Sequence, residues 1–294
     1  TADTIDIESI QDAVEYYLMG NYPNIAKAYI IRRKERAKIR DFKYNKTYYN
    51  TVLGLLNGET NDVSKENANK DPKQFFTMRD LVAGETCKKI YKDFIMDSKL
   101  LELHNKGIIH VHDTDYRAMK GMTNCCLINL KDMLINGTCV QGKRIRNIHS
   151  LIVASNVTTQ IIAAVGSSQY GGITIDISHL SPFIERSKLK YKDIFKELDG
   201  PIQEKYVNTF IKKEVVDSIQ LIQYQLNTLT TTNGQSPFIT IACNTNGQDD
   251  EYPEYTAMLI EELLKQRIKG MEGPNGNNIN PSFPKIVYIL TENN

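Results

Sequence analysis

The sequence predicts an α/β fold, and three observations predict it. Four short β-rich runs, at 126–130, 172–177, 237–243 and 284–290, are almost wholly apolar. Longer stretches with helical periodicity lie between them, near 149–169, 181–189, 203–230 and 254–269. Near-continuous apolar strands separated by helices imply parallel strands covered on both faces, in a sheet or a barrel.

The elements follow in chain order. Residues 5–40 read as two helices. Ile10, Ala13, Val14, Tyr17 and Leu18 recur at helical spacing, Gly20 and Pro23 interrupt, and Ile25, Ala28, Tyr29 and Ile31 resume the pattern. The second helix is expected to end in the basic run Arg32, Arg33, Lys34, Arg36, Lys38, Arg40, where positive charge suits the helix C-terminus. Residues 41–80 are polar and read as a linker or loosely packed arm. Residues 81–106 are expected to be helical, from Cys87, Ile90, Tyr91, Phe94, Ile95 and Leu101, with Gly107 as the stop. The domains expected are therefore 1–40, a linker at 41–80, and a large α/β domain over 81–294. The stretch at 149–169 is rich in small residues, among them Ala154, Ser155, Thr158, Thr159 and Gly166. These suit close packing against a helix of the same chain or, alternatively, a subunit interface.

Composition removes several classes of function. Lys plus Arg number 36 against 35 for Asp plus Glu, so bulk binding to nucleic acid or a membrane is not expected. No apolar run approaches the roughly 20 residues that span a bilayer, and no signal-peptide pattern opens the chain. The five cysteines (Cys87, Cys125, Cys126, Cys139, Cys243) are irregularly spaced, which argues against a disulfide framework and for a reducing, cytoplasmic setting. The chain opens on Thr1 and stops just after a strand-like run, so a piece of something longer is expected. There is no GxGxxG, Walker or GxSxG motif to suggest a dinucleotide, P-loop or esterase site.

Four segments could carry chemistry. In His110-Val111-His112-Asp113-Thr114-Asp115-Tyr116, spacing of two would place both imidazoles on one face of a strand. Without a third and fourth ligand, a hydrogen-bonded turn capped by Asp113 or Asp115 is favoured over a metal site, and no metal is expected. In Asn124-Cys125-Cys126, adjacent cysteines on a strand point to opposite faces, so one can look into a cleft while the other is core. Tyr170-Gly171-Gly172 and Thr232-Asn233-Gly234-Gln235-Ser236-Pro237-Phe238 each lead into a strand and allow tight turns or close approach.

Five motifs in order resemble the anaerobic (class III) ribonucleoside-triphosphate reductases: GIIHVHDTDY (107–116), NCCLINLKDML (124–134), TQIIAAVGSSQYGG (159–172), NTLTTTNGQSPF (227–238) and FPKIVYIL (283–290). The run NIAKAYIIRRKERAKIRD (24–41) resembles the last helices of an ATP-cone, the regulatory module that precedes the catalytic domain in that family. The resemblance implies the first half of a ten-stranded α/β barrel of the glycyl-radical enzyme type. It implies reduction of ribonucleoside triphosphates, in which a glycyl radical oxidises a loop cysteine, the thiyl radical takes the 3′ hydrogen, and the 2′-hydroxyl leaves as water. The family's electrons come from formate or a small redoxin. Its partners are a radical-SAM activase, ATP and deoxynucleotide effectors, and a second subunit in a homodimer. The family's strand cysteine falls on Cys125, so Cys126 becomes core. Asn124, His110, His112, Asp113, Asn233, Gly234 and Gln235 form the expected substrate-binding set. The helices at 149–169 and 203–230 are the expected dimer and effector surface.

The resemblance also marks departures. The cone's nucleotide-binding ribbon does not precede the helices, so control by ATP is not expected of this chain. The loop cysteine, the four-cysteine zinc site and the glycyl-radical loop lie downstream in the family, and this sequence has no CxxC pair. The isolated chain is therefore expected to be inactive, as a truncated product, an expression fragment or one part of a split enzyme. Two alternatives remain: another glycyl-radical enzyme, or a non-catalytic nucleotide-binding or assembly protein.

Overall fold

The computed structural model describes residues 6–59, 71, 73–119, 124–169, 171–232, 234–245, 247 and 250–290. The chain divides into two compact units, Thr1–Glu59 and Thr60–Asn294. The first is helical: α1 (Ile7–Asn21), α2 (Pro23–Tyr44) and α3 (Lys46–Leu56). Pro23 opens α2, where its missing N–H costs nothing. Arg33 ties α2 to α1 through hydrogen bonds to Glu8 (2.5 Å), Asp12 (2.6 Å) and Glu15 (2.8 Å).

The predicted boundary at residue 40 falls inside α2, and the predicted linker contains α3. The polarity of the stretch as a whole misled at 41–56, although α3 carries Tyr48, Tyr49, Val52, Leu53, Leu55 and Leu56; it buries only Gly54 and Leu55. The basic run is likewise not the helix terminus. Arg33 lies mid-helix and spends its charge on three carboxylates.

In the second unit the predicted helix over 81–106 is three pieces. α4 (Phe75–Ile90) runs into a π-helical turn, Tyr91–Ile95, and α5 (Ser98–Asn105) starts afresh. The break is made by Asp97, whose carboxylate accepts from the amides of Lys99 and Leu100. Gly107, at φ +69°, does end the helical stretch.

The four predicted strands form, in shorter spans: β1 (Cys126–Leu127), β4 (Ile173–Asp176), β5 (Ile239–Cys243) and β8 (Lys285–Tyr288). They make a four-stranded parallel sheet in the order β1-β4-β5-β8. The expected helices follow as α7 (Leu151–Gly166), α8 (Ser181–Ile194), α9 (Gly200–Thr228) and α10 (Pro253–Lys269). The fold is mixed α/β with a parallel sheet, as part of an α/β barrel has. Also not foreseen are α6 (Leu130–Ile135), the hairpin β2 (Thr138–Val140) with β3 (Lys143–Ile145), and the hairpin β6 (Met271–Glu272) with β7 (Asn278–Ile279).

The two faces of the sheet are covered to different degrees. Ile173, Ile175, Ile239, Ile241 and Cys243 are fully buried, while Thr174, Asp176, Thr240 and Ala242 between them are only half-buried. The runs alternate Ile-Thr-Ile, so one face takes the apolar core and the other a thinner, mixed lining. The core brings these isoleucines together with Ile161 and Ile162 of α7, Phe183 and Ile184 of α8, Ile219 and Leu226 of α9, and Leu259 and Leu263 of α10. The small residues of α7 serve packing within the chain. Thr159 hydrogen-bonds Gln225 of α9, and Gly166 lies against Thr231 and Ile173.

A buried carboxylate joins three of these helices. Glu214 of α9 is 5% exposed. It accepts from the amide of Ile152 (3.0 Å) and from the hydroxyl of Ser187 (3.0 Å), which itself accepts from the amide of Leu151 (2.9 Å). An anion so placed satisfies the free N–H groups at the start of α7 and complements the helix dipole. Glu214→Ala would leave a buried amide and hydroxyl without their acceptor. The expected cost is about 2–3 kcal/mol, read as a lower urea midpoint, with Glu214→Gln between the two. An unchanged midpoint in the alanine variant would remove this helix-capping role.

Candidate active site

The site is built at the N-terminal edge of the sheet. β1 starts at Cys126, whose amide donates to Gly172 O (3.0 Å) just ahead of β4, and Ile128 donates to Thr174 O (3.0 Å). This ladder sets the faces of the two cysteines. Cys126 is half-buried and packs against the apolar core. Burial pushes its thiol above the ordinary range, against a hydrogen bond from Gln169. Cys125 is exposed and lines a cavity of about 660 Å³. Its thiol donates to the side-chain oxygen of Asn124 at 3.5 Å.

The glycines explain how closely this wall is built. A Cβ on Gly171 would fall 2.5 Å from the carbonyl carbon of Asn124 and nearer still to its carbonyl oxygen. Buried Gln169 holds the pair from behind, donating to the carbonyls of Gly171 and Gly172 at 3.3 Å each. The close approach foreseen from the two glycines is made by the neighbouring backbone. Gly234, at φ +71°, packs against Thr77 of α4, whose hydroxyl donates to its carbonyl at 2.7 Å. It fixes the loop and does not line the cavity. Gln235 does line it, its carbonyl held by the amide and hydroxyl of Thr231 (2.9 Å each). Asn233 and Tyr170, both singled out from the sequence, lie outside the described residues.

His110, His112 and Asp113 line the same cavity as Asn124 and Cys125. They do so from an irregular segment and not from a strand. Asp113 stands at φ +52°. Its carbonyl, and not its carboxylate, closes the turn, accepting from the amides of Tyr116 (3.0 Å) and Arg117 (3.1 Å). The carboxylate instead faces His112 Nε2 at 3.3 Å.

Sequence reasoning missed His104, and with it the polar face of α4. His104 belongs to α5, and the Gly107 turn brings His110 back onto it, with ring centroids 5.6 Å apart. Its Nδ1 accepts from the amide of Val111 at 3.2 Å. Asp80, Gly84 and Lys88 recur at four-residue spacing along α4, with Lys92 on the next turn, and all line the cavity. That spacing was the available signal. Burial and the charge of Lys88 push Lys92 below the ordinary lysine range. Burial, Lys92, His110 and Lys88 do the same to His104. Tyr116 is pushed up by burial and by Asp80, which its hydroxyl faces at 3.5 Å, so it stays a hydrogen-bond donor at neutral pH. Among the described residues no three His, Cys, Asp or Glu side chains converge as a metal site. No helix among them is long and apolar enough to cross a membrane.

The arrangement offers an accessible thiol, an amide, imidazoles and carboxylates around one cavity. It predicts an order of thiol alkylation at neutral pH. Exposed Cys125 and Cys139 label first, half-buried Cys87 and Cys126 later, and buried Cys243 last, its thiol pushed up to about 11 by burial and by Asp176. Only the thiolate reacts, so a raised pKa slows labelling. Time-resolved peptide mass spectrometry reads the order, and labelling of Cys126 ahead of Cys125 would invert the assignment of faces.

The chain matches the sequence pattern of the family "Anaerobic ribonucleoside-triphosphate reductase" over residues 66–294. It is 38% identical over 290 residues to the anaerobic ribonucleoside-triphosphate reductase of Haemophilus influenzae, covering 97% of this chain and 40% of that protein. It is 39% identical over 245 residues to the enzyme of the same name from Enterobacteria phage T4, covering 82% of this chain and 39% of that protein. A crystal structure of the anaerobic ribonucleotide reductase from Thermotoga maritima, in complex with dATP and CTP, overlaps with a TM-score of 0.47 at 12% identity, over 75% of this chain and 41% of that one. The chain spans about two fifths of the length of the curated relatives it matches.

Proposed function

Since this chain belongs to the anaerobic ribonucleoside-triphosphate reductase family, we propose that it supplies the strand-borne thiol of a reductase that converts ribonucleoside triphosphates to deoxyribonucleoside triphosphates. One observation carries the proposal: Cys125, immediately ahead of the first sheet strand, opens onto a cavity shared with Asn124, His110, His112 and Asp113, while Cys126 turns into the core. An S–H bond is weak enough to yield a hydrogen atom, and a rigid strand holds the thiol better than a loop would. Asn124 accepts from that thiol and can hydrogen-bond a sugar hydroxyl beside it.

The family's four-cysteine zinc site does not fit the five cysteines of this chain, which lie on separate elements apart from the Cys125-Cys126 pair. No step is routed through it. The glycyl radical, the radical-SAM activase and the electron donor act, in this reading, with the rest of the protein. Deoxynucleotide effectors and a second subunit would meet the outer faces of α7 and α9. The exposed aromatic side chains Tyr206 and Tyr224 of α9 support that placement.

The test is to join the chain to the downstream portion that relatives carry and to supply activase, reductant and a ribonucleoside triphosphate without oxygen. The expected result is a glycyl-radical signal and deoxyribonucleoside triphosphate. A radical signal that never leads to product would overturn the proposal. Sedimentation in the presence of deoxynucleotides tests the effector surface, and a monomer that they leave unchanged would count against it.

A further inference from the structure

The charges that α4 and the turn after it bring to the Cys125 cavity are sorted by sign. Asp80, Gly84, Lys88 and Lys92 all line the cavity at four-residue spacing. Lys88 stands about 12 Å along the helix axis from Asp80, and Lys92 lies one turn further, in the π-helical turn. The acidic end holds a second carboxylate. Asp115 packs over Gly84, its Cβ 3.6 Å from where a Cβ on that glycine would stand. Tyr116 closes this end with its hydroxyl on Asp80 (3.5 Å). Of the cavity's other carboxylates, Glu85 is spent on Lys88 (3.1 Å) and Asp113 faces His112 (3.3 Å).

At the basic end the pairing is incomplete. Lys89, off the cavity, has Asp93 at 2.5 Å. Lys92 is half-buried, and among the described residues no carboxylate lies within ion-pair distance of it. Burial and the charge of Lys88 hold it below the ordinary lysine range, and Glu85 offsets them only in part. An ammonium taken out of water beside a second one is stabilised by an anion that meets both. His104 adds a donor to the same corner. Its Nδ1 accepts from the amide of Val111 (3.2 Å), so the neutral imidazole carries its proton on Nε2. Lys88 and Lys92 both act electrostatically on His104, which puts the three side chains within reach of one another.

We propose that Lys88, Lys92 and the Nε2–H of His104 form a polyphosphate subsite, which holds the tail of a nucleoside triphosphate whose sugar lies toward Cys125. Two ammonium groups one turn apart suit a chain of phosphates better than a lone phosphate, since each can meet a different phosphoryl group. The carboxylates of Asp80 and Asp115 repel phosphate and accept hydrogen bonds from hydroxyls. The ligand therefore enters one way round, with its tail toward Lys92 and its sugar toward the acidic end. That the ligand is the reductase substrate rests on the function proposed above. The affinity for polyphosphate does not.

Inorganic tripolyphosphate is the probe, titrated into this chain by calorimetry at low salt, where screening is weak. Saturable binding is expected, with orthophosphate bound much more weakly. Lys92→Met is expected to weaken tripolyphosphate binding by about 10-fold or more, the scale of one hydrogen bond to a charged group. Lys89→Met, outside the cavity, is expected to leave it unchanged. With histidine labelled in 15N, the His104 Nε2 resonance is expected to move on saturation and that of His149, also outside the cavity, to stay. No binding, equal affinity for orthophosphate, or equal effects of the two lysine variants would overturn the subsite. Should Lys92→Met not fold, the His104 resonance of the wild type decides: movement supports the subsite and a fixed signal overturns it. In the reductase joined to its downstream portion, Lys92→Met is expected to raise KM for the ribonucleoside triphosphate by a similar factor. Product formed with an unchanged KM would overturn the subsite's role in holding substrate. If the joined protein makes no product while Lys92 still governs tripolyphosphate binding, the reductase reading fails and the subsite stands.

Discussion

Cys125→Ser is expected to stop deoxyribonucleotide formation in the joined reductase while leaving the fold intact. The substitution changes one atom on an exposed side chain, and the β1 ladder runs through the amides of Cys126 and Ile128, which it does not touch. What it removes is the weak S–H bond, since an alcohol O–H is far too strong to yield its hydrogen atom in the same step. The expected loss is on the order of 10³-fold or more in turnover, the scale seen when a directly reacting group is deleted. Cys126→Ala is the control. Its thiol packs in the core, so a modest stability loss of about 1 kcal/mol and near-normal turnover are expected. Anaerobic product assays on the two variants decide the matter. Equal losses, or a greater loss at Cys126, would mean that the strand presents the other face to the cavity.

Gly171→Ala is expected to be the most damaging single methyl in the chain. The new Cβ would collide with the Asn124 carbonyl, and a backbone atom cannot swing aside as a side chain does. The strain would pass to Asn124 and Cys125 on one side and to the hydrogen bond from Cys126 to Gly172 on the other. The expected cost is about 3 kcal/mol or more, seen as a lower urea midpoint together with altered alkylation of Cys125. Gly172→Ala is the informative contrast. Its Cβ would meet the ring edge of Phe238 at 3.2 Å, a contact that a small ring shift relieves. A cost near 1 kcal/mol is expected there. Equal effects at the two positions would show that local flexibility at the turn, and not the approach of Asn124, governs it.

How much of this could be read from residues depended on the range of the interaction. The four strands and the four long helices of the core announce themselves by period, because burial against a single core repeats along each element. α3 escaped because its short apolar run, Val52 to Leu56, lies inside a long polar stretch that read as linker. The β2–β3 hairpin escaped because its turn is Gln141-Gly142, both at positive φ, without the Asn or Asp that usually marks such a turn. In the site, Cys125, Asn124, His110, His112, Asp113 and Gln235 were named from motifs and do share one cavity. Gly234 was named too, but its conformation serves the contact with Thr77. His104 was missed because it sits on a helix before the turn, and only the reversal at Gly107 brings it onto His110. The face of Asp80, Gly84 and Lys88 escaped although it repeats at helical spacing, because the expected helix starts only at residue 81 and leaves Asp80 in the linker.

The strand order β1-β4-β5-β8 has a consequence for how the protein is made. Each new sheet strand docks beside the one synthesised before it, and none has to be inserted between strands already paired. A chain emerging from the ribosome can therefore lay down the sheet one edge at a time, with α7 through α10 closing over it as they appear. The alternative, in which a late strand pries open an early pair, would hold apolar edges unpaired until synthesis was nearly over, with the aggregation risk that brings. Here the growing edge is always the newest strand, while the opposite edge stays with β1 from the start.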